Sequence, residues 1–107
     1  KVIEVYNTPV ENKINDFEDN SFDLLFTMAV LEHIHTDSEF IFSYMARITK
    51  KILITIEDEK GLSWRHFPRN YKKIFEDLGL RQSEEVGFRN AKIPGLTEHF
   101  VCRIFKK

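Results

Sequence analysis

Two short apolar runs constrain the fold of this chain more than any other feature of its sequence. Phe22–Thr27 is apolar on both faces apart from Asp23, and Ile52–Ile56 has a similar character. Strands with this unbroken pattern are typical of parallel sheets that are covered on two sides. Neither run is long enough to cross a bilayer. We therefore expect two buried, parallel strands and no membrane partner.

The segments around these runs show the patterns of helices and further strands. Thr36–Glu39 matches a capping box, and the helix predicted after it has an apolar face made of Phe40, Ile41, Tyr44, Met45 and Ile48. A second helix is predicted from Pro68 to Leu78, with Gly79 as its terminator. The remaining predicted elements are strands at Val2–Tyr6, Leu80–Val86 and His99–Phe105, and an amphipathic turn over Val10–Phe17.

The order of these elements predicts an α/β fold with a mixed sheet. Strands and helices alternate in the first part of the chain, which favours right-handed crossovers and parallel pairing. The last two strands have no helix between them, so we expect them to pair antiparallel. In sheets of this kind, ligands bind beyond the carboxyl ends of the strands, here at Tyr6–Asn7, Thr27–Met28 and Glu57–Asp58.

Length and composition exclude several classes of protein. A chain of 107 residues allows one ordinary domain, and its ten phenylalanines predict a core of large side chains. The 16 Lys and Arg residues balance 17 Asp and Glu residues, which argues against general nucleic-acid binding. The single cysteine, Cys102, permits neither an internal disulfide nor a Cys-based zinc site. We expect it to be an inert buried thiol and the protein to work in a reducing, cytoplasmic compartment.

The sequence that begins at Ser21 resembles a motif of one enzyme family. Residues 21–34, SFDLLFTMAVLEHI, are similar to the fourth-strand motif of class I S-adenosylmethionine-dependent methyltransferases. Lys51–Glu57 looks like the family's fifth strand, Phe67–Leu80 like its last helix, and Val101–Phe105 like its antiparallel seventh strand. The resemblance spans nearly the whole chain. It implies a partial Rossmann-like class I methyltransferase fold, mostly parallel, and S-adenosylmethionine as the cofactor.

The chain also departs from the family pattern. Class I methyltransferases carry a Gly-rich loop, roughly E/D-x-G-x-G-x-G, after their first strand, whereas the four glycines of this chain are isolated from one another. They are Gly61, Gly79, Gly87 and Gly95. Residues 1–107 therefore resemble the C-terminal portion of the fold as a single domain. An alternative register makes Glu4 the ribose ligand of a second strand, but too few residues then precede Phe22 to form another helix and strand.

The resemblance implies which residues bind the cofactor. Thr27, Met28 and Ala29 would line the cofactor cleft where the fourth strand ends, and Leu31 would pack near the adenine or the methionine chain. His33 matches the histidine of the motif and would shape the cofactor or substrate pocket. Alternatively, Met28, Val30 and Leu31 are core residues, and His33 makes only a local hydrogen bond.

A second group of implied cofactor residues follows the family's third strand. Pro9 stands where an acidic residue is usual, and proline offers neither a carboxylate nor an N–H. Val10 and Glu11 come next, and the Val10 N–H is the candidate adenine ligand. The alternative for Glu11 is a solvated surface carboxylate.

Other polar residues near the strand ends are less specific candidates for a functional site than the residues of the family motif. Histidines two residues apart do not share a helical face, so the spacing argues against a metal site formed by Glu32, His33, His35 and Asp37. We expect His35 to be a solvent-facing loop residue.

The segment after the fifth strand, where such enzymes meet their substrates, offers further candidates. Glu57 and His66 are candidate general bases, although nothing in the sequence selects either. Arg65 and Arg69 would bind an anionic substrate or only flank a helix. The alternative is a solvated loop with Trp64 anchored in the core.

Two functions of different classes follow from these observations. In the first, the chain is part of a methyltransferase that transfers a methyl group to an unidentified acceptor. In the second, it is a non-catalytic binding or oligomerisation domain derived from that fold. Without the family's first two strands, Phe22–Thr27 has an open edge, which predicts a homodimer or a rearranged sheet.

Overall fold

The computed structural model of the chain describes residues 3–88, 94 and 97–107. In this part of the chain, four strands form one sheet: β1 (Phe22–Met28), β2 (Thr49–Asp58), β3 (Arg81–Gly87) and β4 (Phe100–Lys106). Their order across the sheet is β1-β2-β4-β3. β1 and β2 are parallel, and β4 is antiparallel to both β2 and β3. The predicted mixed sheet and the central position of the last strand are confirmed.

Three α-helices accompany the sheet in the described residues. They are α1 (Val10–Lys13), α2 (Ile41–Ile48) and α3 (Tyr71–Asp77). Short 3₁₀ turns follow α1 at Ile14–Asp16 and precede α2 at Leu31–His33 and Thr36–Ser38. None of these helices has the length and hydropathy needed to cross a membrane.

The helices and the inner face of the sheet share one hydrophobic core. Phe42 of α2 contacts Phe75 of α3 edge-on, with their ring centroids 5.9 Å apart. Phe75 in turn lies 5.3 Å from Phe105 of β4, and Leu53 of β2 is fully buried in the same cluster. The core is therefore built largely from aromatic side chains, as the composition predicts.

The outer face of the sheet is apolar but exposed. Leu24, Phe26 and Met28 of β1 are 51%, 65% and 50% exposed, and they lie opposite Ile52, Ile54 and Ile56 of β2. Burial of β1 on both faces was therefore predicted wrongly, whereas the outer isoleucines of β2 are partly buried. An apolar pattern does not reveal whether a covering layer is present. Among the described strands, β1 lies at the margin of the sheet, which agrees with the predicted open edge.

Three local predictions fail. Residues 3–6 are exposed and form no strand, while Val2 lies outside the described residues. Thr36 begins a separate 3₁₀ turn, and Phe40 occupies the N-cap of α2 without a side-chain hydrogen bond. Pro68 precedes α3 rather than entering it, because the Asn70 side chain caps that helix by accepting a hydrogen bond from the Lys73 N–H at 3.1 Å.

The end of α3 agrees with prediction. Gly79 has a φ of +96°, a left-handed conformation that glycine adopts without the steric cost of a Cβ. The chain then reverses into β3. The predicted strand at Leu80–Val86 is thus confirmed, shifted by one residue. The connection after Gly87 includes residues outside the described ranges.

Candidate functional site

β1 ends in a turn with an unusual backbone. Ala29 has a φ of +53°, a left-handed conformation that is unfavourable by about 1–2 kcal/mol for a residue with a Cβ. The Ala29 N–H donates to the carbonyl of Ile56 at 2.9 Å, so the turn stays attached to β2. Uncommon backbone conformations of this kind are concentrated at functional sites. The residues that the resemblance assigns to the cofactor therefore lie at a constrained turn.

The Glu57 side chain of β2 fixes this turn by accepting hydrogen bonds from its backbone. Its Oε1 accepts the N–H of Val30 at 2.8 Å and the N–H of Glu32 at 3.2 Å. The side chain is fully buried, and this burial raises its pKa, while the hydrogen bonds from the two backbone N–H groups oppose the rise. Because the carboxyl group is enclosed and engaged with the backbone, its position favours a structural role over that of a general base.

Glu32 follows the turn and faces two histidines. Its Oε1 accepts the N–H of Asp58 at 3.0 Å, which ties it to the end of β2. Its Oε2 lies 3.6 Å from Nε2 of His33 and 3.4 Å from Nε2 of His66. The Glu32 side chain is only 5% exposed, whereas the His33 and His66 side chains are 45% and 33% exposed. The three side chains form a cluster with a buried carboxylate and a solvent-facing side.

A cleft adjoins His33. It has a volume of about 470 Å³ and is lined by His33, His35, Trp64, Arg65 and Phe67. The Trp64 side chain is 82% exposed, with the Arg65 guanidinium 4.6 Å from its ring centroid. The alternative that anchored Trp64 in the core is wrong. His35 is exposed, as predicted.

Arg69 supports the same region from within the protein. Its guanidinium donates to the carbonyls of Leu31 at 3.0 Å and Ile34 at 2.6 Å, and to Glu39 at 2.6 Å. Its side chain is 5% exposed. The donors of Arg69 already serve Glu39 and the backbone after β1, which favours the alternative that this residue only flanks a helix.

The predicted cofactor residues fall into two groups in the structure. Thr27, Met28, Ala29 and His33 lie at the carboxyl end of β1, with Met28 half exposed. Leu31 is 1% exposed and belongs to the core, which favours a packing role for it.

The residues of the second group lie on α1. Val10 lines a separate apolar pocket with Phe22 and Leu25. Glu11 accepts a weak hydrogen bond from the Ser38 hydroxyl at 3.5 Å, which attaches α1 to the turn before α2. The structure therefore does not bring Val10 and Glu11 into the cleft beside His33.

Sequence reasoning missed a second polar cluster, centred on Arg103. The guanidinium makes two bonds to Glu59, at 2.7 and 2.9 Å, and further bonds to Gln82 and Glu85. The hydrogen bonds and charge of Glu59 raise the pKa of Arg103 further above its usual range. The cluster borders a cavity of about 570 Å³. The only signal in the sequence was a charged residue in the middle of an apolar strand.

Cys102 lies on the outer face of β4 and is half buried. Burial is the main cause that raises the pKa of its thiol. A thiol held in the protonated state is a poor nucleophile, so its environment agrees with the inert role that we expect.

Comparisons with known proteins agree with this architecture. The family model described as "Methyltransferase domain" matches residues 1–52. No curated protein sequence matches the chain. Three solved structures share the fold.

An S-adenosylmethionine-dependent methyltransferase from Archaeoglobus fulgidus has a TM-score of 0.71 and 12% identity, over 95% of this chain and 66% of that one. The second structure is the complex between the Haloferax volcanii Trm112 methyltransferase activator and the putative methyltransferase. A chain of this complex has a TM-score of 0.62 and 15% identity, over 84% of this chain and 55% of that one. An S-adenosylmethionine-dependent methyltransferase from Aquifex aeolicus has a TM-score of 0.58 and 22% identity, over 96% of this chain and 53% of that one.

The chain spans less than two thirds of each of these solved chains. Their identities to it are low, so these likenesses show the fold. The family model matches the segment that contains β1 and α2, and the sheet order and the motif at Ser21–Ile34 agree with it. Residues 1–52 therefore match the methyltransferase domain family, and the described part of the chain has the fold of S-adenosylmethionine-dependent methyltransferases.

Proposed function

We propose that this chain forms the C-terminal portion of an enzyme that transfers a methyl group from S-adenosylmethionine to an acceptor. The observation that carries the proposal is the left-handed turn at Ala29, held by Glu57 at the carboxyl end of β1. In open α/β sheets, ligands bind beyond this end of the strands. The cleft beside His33 opens at the same end.

The residues at this turn fit one side of the proposed cofactor site. Met28 and Val30 present half-exposed apolar side chains on either side of Ala29, whose small side chain leaves the backbone accessible. Thr27, Met28 and Ala29 would hold the cofactor there, with His33 at the border of the adjoining cleft. The bound cofactor would supply an electrophilic methyl group on a sulfonium.

The protein's own contribution to such a reaction is positioning. Methyl transfer is an in-line displacement, so its rate depends on alignment of the acceptor with the methyl group and on exclusion of water. The buried contacts of Glu57 and Arg69 fix the backbone on which these residues stand. The acceptor is unidentified, and no residue is assigned as a catalytic base.

Calorimetric titration tests whether this chain provides the whole cofactor site. Because no glycine pair with G-x-G spacing occurs in the sequence, we expect no tight binding of S-adenosylmethionine to the 107-residue chain. A dissociation constant below micromolar would contradict this. Upstream residues that contain a Gly-rich motif would support the proposal, and upstream residues without one would count against it.

The second candidate is a non-catalytic binding or oligomerisation domain, and the exposed apolar face of β1 favours it. Leu24, Phe26 and Met28 lie next to an open strand edge, which is a template for pairing with another chain. Light scattering tests the oligomerisation form of this candidate, which requires a stable dimer without S-adenosylmethionine. A monodisperse monomer would contradict it.

The cellular location forms part of the proposal. A single half-buried cysteine is compatible with a reducing compartment, and we propose the cytoplasm. Fractionation of cells that express the tagged protein would test this directly.

A further inference from the structure

The geometry points to a binding site for a divalent transition metal, such as Zn²⁺, formed by Glu32, His33 and His66. One ligand atom from each residue lies within 4.8 Å of the others. The Glu32 Oε2 is 3.6 Å from one imidazole Nε2 and 3.4 Å from the other. In a tetrahedral zinc site with bonds of about 2.0–2.1 Å, neighbouring ligand atoms lie about 3.3 Å apart. Both Glu–His distances are therefore close to those of such a site.

The opposite nitrogen of each imidazole is already anchored. Nδ1 of His33 lies 2.7 Å from the carbonyl oxygen of Arg65, and a carbonyl only accepts, so Nδ1 carries the hydrogen. In the neutral ring, Nε2 then presents its lone pair to the cluster. Nδ1 of His66 lies 2.8 Å from the Ser63 hydroxyl, whose oxygen can accept this bond as well as the one from the Arg65 N–H. Metal-ligating histidines in proteins are oriented by contacts of this kind.

One oxygen of the buried Glu32 carboxylate is directed at the two imidazoles. Glu32 Oε1 is engaged by the Asp58 N–H, while Oε2 faces the two Nε2 atoms. Where both rings present an Nε2 lone pair, they repel the carboxylate oxygen, and a cation bound between the three atoms stabilises the arrangement. One solution is an Nε2–H on His66, with the Ser63 hydroxyl donating to its Nδ1, and another is a divalent metal bound by all three residues. Two imidazoles with one carboxylate favour zinc and similar transition metals over magnesium or calcium.

The surroundings allow a metal to enter and to bind a further ligand. The side chains of His33 and His66 are partly exposed, and His33 borders the cleft of about 470 Å³. Three protein ligands leave a fourth position for water or an oxygen-bearing molecule, as in catalytic zinc sites. The metal site does not depend on the proposed methyl transfer, because binding of the metal and of S-adenosylmethionine are measured separately.

Metal titration of the untagged 107-residue chain, freed of metal by a chelator, tests the inference. We expect about one equivalent of Zn²⁺ per chain by calorimetry, and a tetrahedral visible spectrum when Co²⁺ is used instead. Loss of a direct ligand in Glu32→Gln or His66→Gln is expected to weaken Zn²⁺ binding by more than about 100-fold, since loss of an outer contact alone costs 10–100-fold. His35→Gln is the matched control, because His35 lines the same cleft outside the cluster, and its affinity is expected to stay unchanged.

A measurement on the unaltered chain covers the case in which a variant does not fold. In a nitrogen-detected NMR spectrum of the imidazoles, Zn²⁺ is expected to shift the Nε2 signals of His33 and His66 and to leave His35 and His99 unchanged. Absence of Zn²⁺ binding in the unaltered chain would overturn the inference. Equal weakening by His35→Gln and His66→Gln, or shifts centred on His35, would overturn it as well.

Discussion

Replacement of Glu57 by alanine tests whether this buried carboxyl group holds the turn after β1. The substitution removes the acceptor of two backbone N–H groups, those of Val30 and Glu32. Glu32 is 4% exposed, so its orphaned N–H costs about 1–3 kcal/mol, while the N–H of the half-exposed Val30 costs about 1 kcal/mol. We expect a total loss of about 2–4 kcal/mol in the free energy of unfolding.

Thermal unfolding followed by circular dichroism measures this loss. A domain of this size shifts its Tm by about 4–8 °C per kcal/mol, so Glu57→Ala should lower the Tm by roughly 10–30 °C. Glu57→Gln keeps an oxygen acceptor of the same shape and should lie within about 1 kcal/mol of the unaltered chain. Glu84→Ala, on the exposed surface of β3, is the control and should have little effect. The reasoning is refuted if Glu57→Ala resembles the control, or if Glu57→Gln is as damaging as Glu57→Ala.

Three further predictions concern stability and are measured by denaturation. Burial raises the pKa of Glu57 above its ordinary value of 4.5, so the folded chain binds that proton more tightly than the unfolded chain. The stability that this group contributes should therefore fall as the pH rises from 4.5 through the raised pKa. In Glu57→Gln, the free energy of unfolding should depend less steeply on pH over this range. An unchanged pH dependence would contradict the prediction. Gly79→Ala should lower the free energy of unfolding by about 1–2 kcal/mol because of the positive φ at this position. Steric contact adds nothing to this cost, since an added Cβ meets no atom within 4 Å. A neutral effect would count against the left-handed turn. Arg69→Lys replaces the forked guanidinium by a single ammonium that cannot reproduce all three contacts, and we expect it to lower the free energy of unfolding by about 1–3 kcal/mol. No loss would mean that the guanidinium contacts are dispensable.

The sequence predicts well those elements that have a clear hydrophobic periodicity. β1, β2 and α2 lie where their apolar patterns indicate, and Gly79 ends α3 in the expected conformation. The hydrophobic effect acts on these patterns locally, so neighbouring residues are enough to identify the elements. Whether both faces of β1 are covered depends on other parts of the fold, and the pattern of β1 carries no information on that.

The site was harder to predict because its contacts connect distant segments. His33 and His66 are separated by α2, β2 and a loop, so no spacing rule joins them to Glu32. The role of Glu57 depends on two N–H groups that precede it by 25 and 27 residues. Arg69 looked available for an anion because its backbone acceptors after β1 are invisible in the sequence. The family motif located the turn correctly, since its residues are contiguous.

The central claim is that the turn at Thr27–Ala29 forms part of a site for S-adenosylmethionine. An amide-detected NMR titration of the 107-residue chain with this molecule tests it most directly, because weak binding still shifts resonances. We predict saturable shifts at Thr27, Met28, Ala29 and His33, with β3 unaffected. Shifts that are absent at high ligand concentration, or that are confined to residues away from the carboxyl end of β1, would contradict the claim.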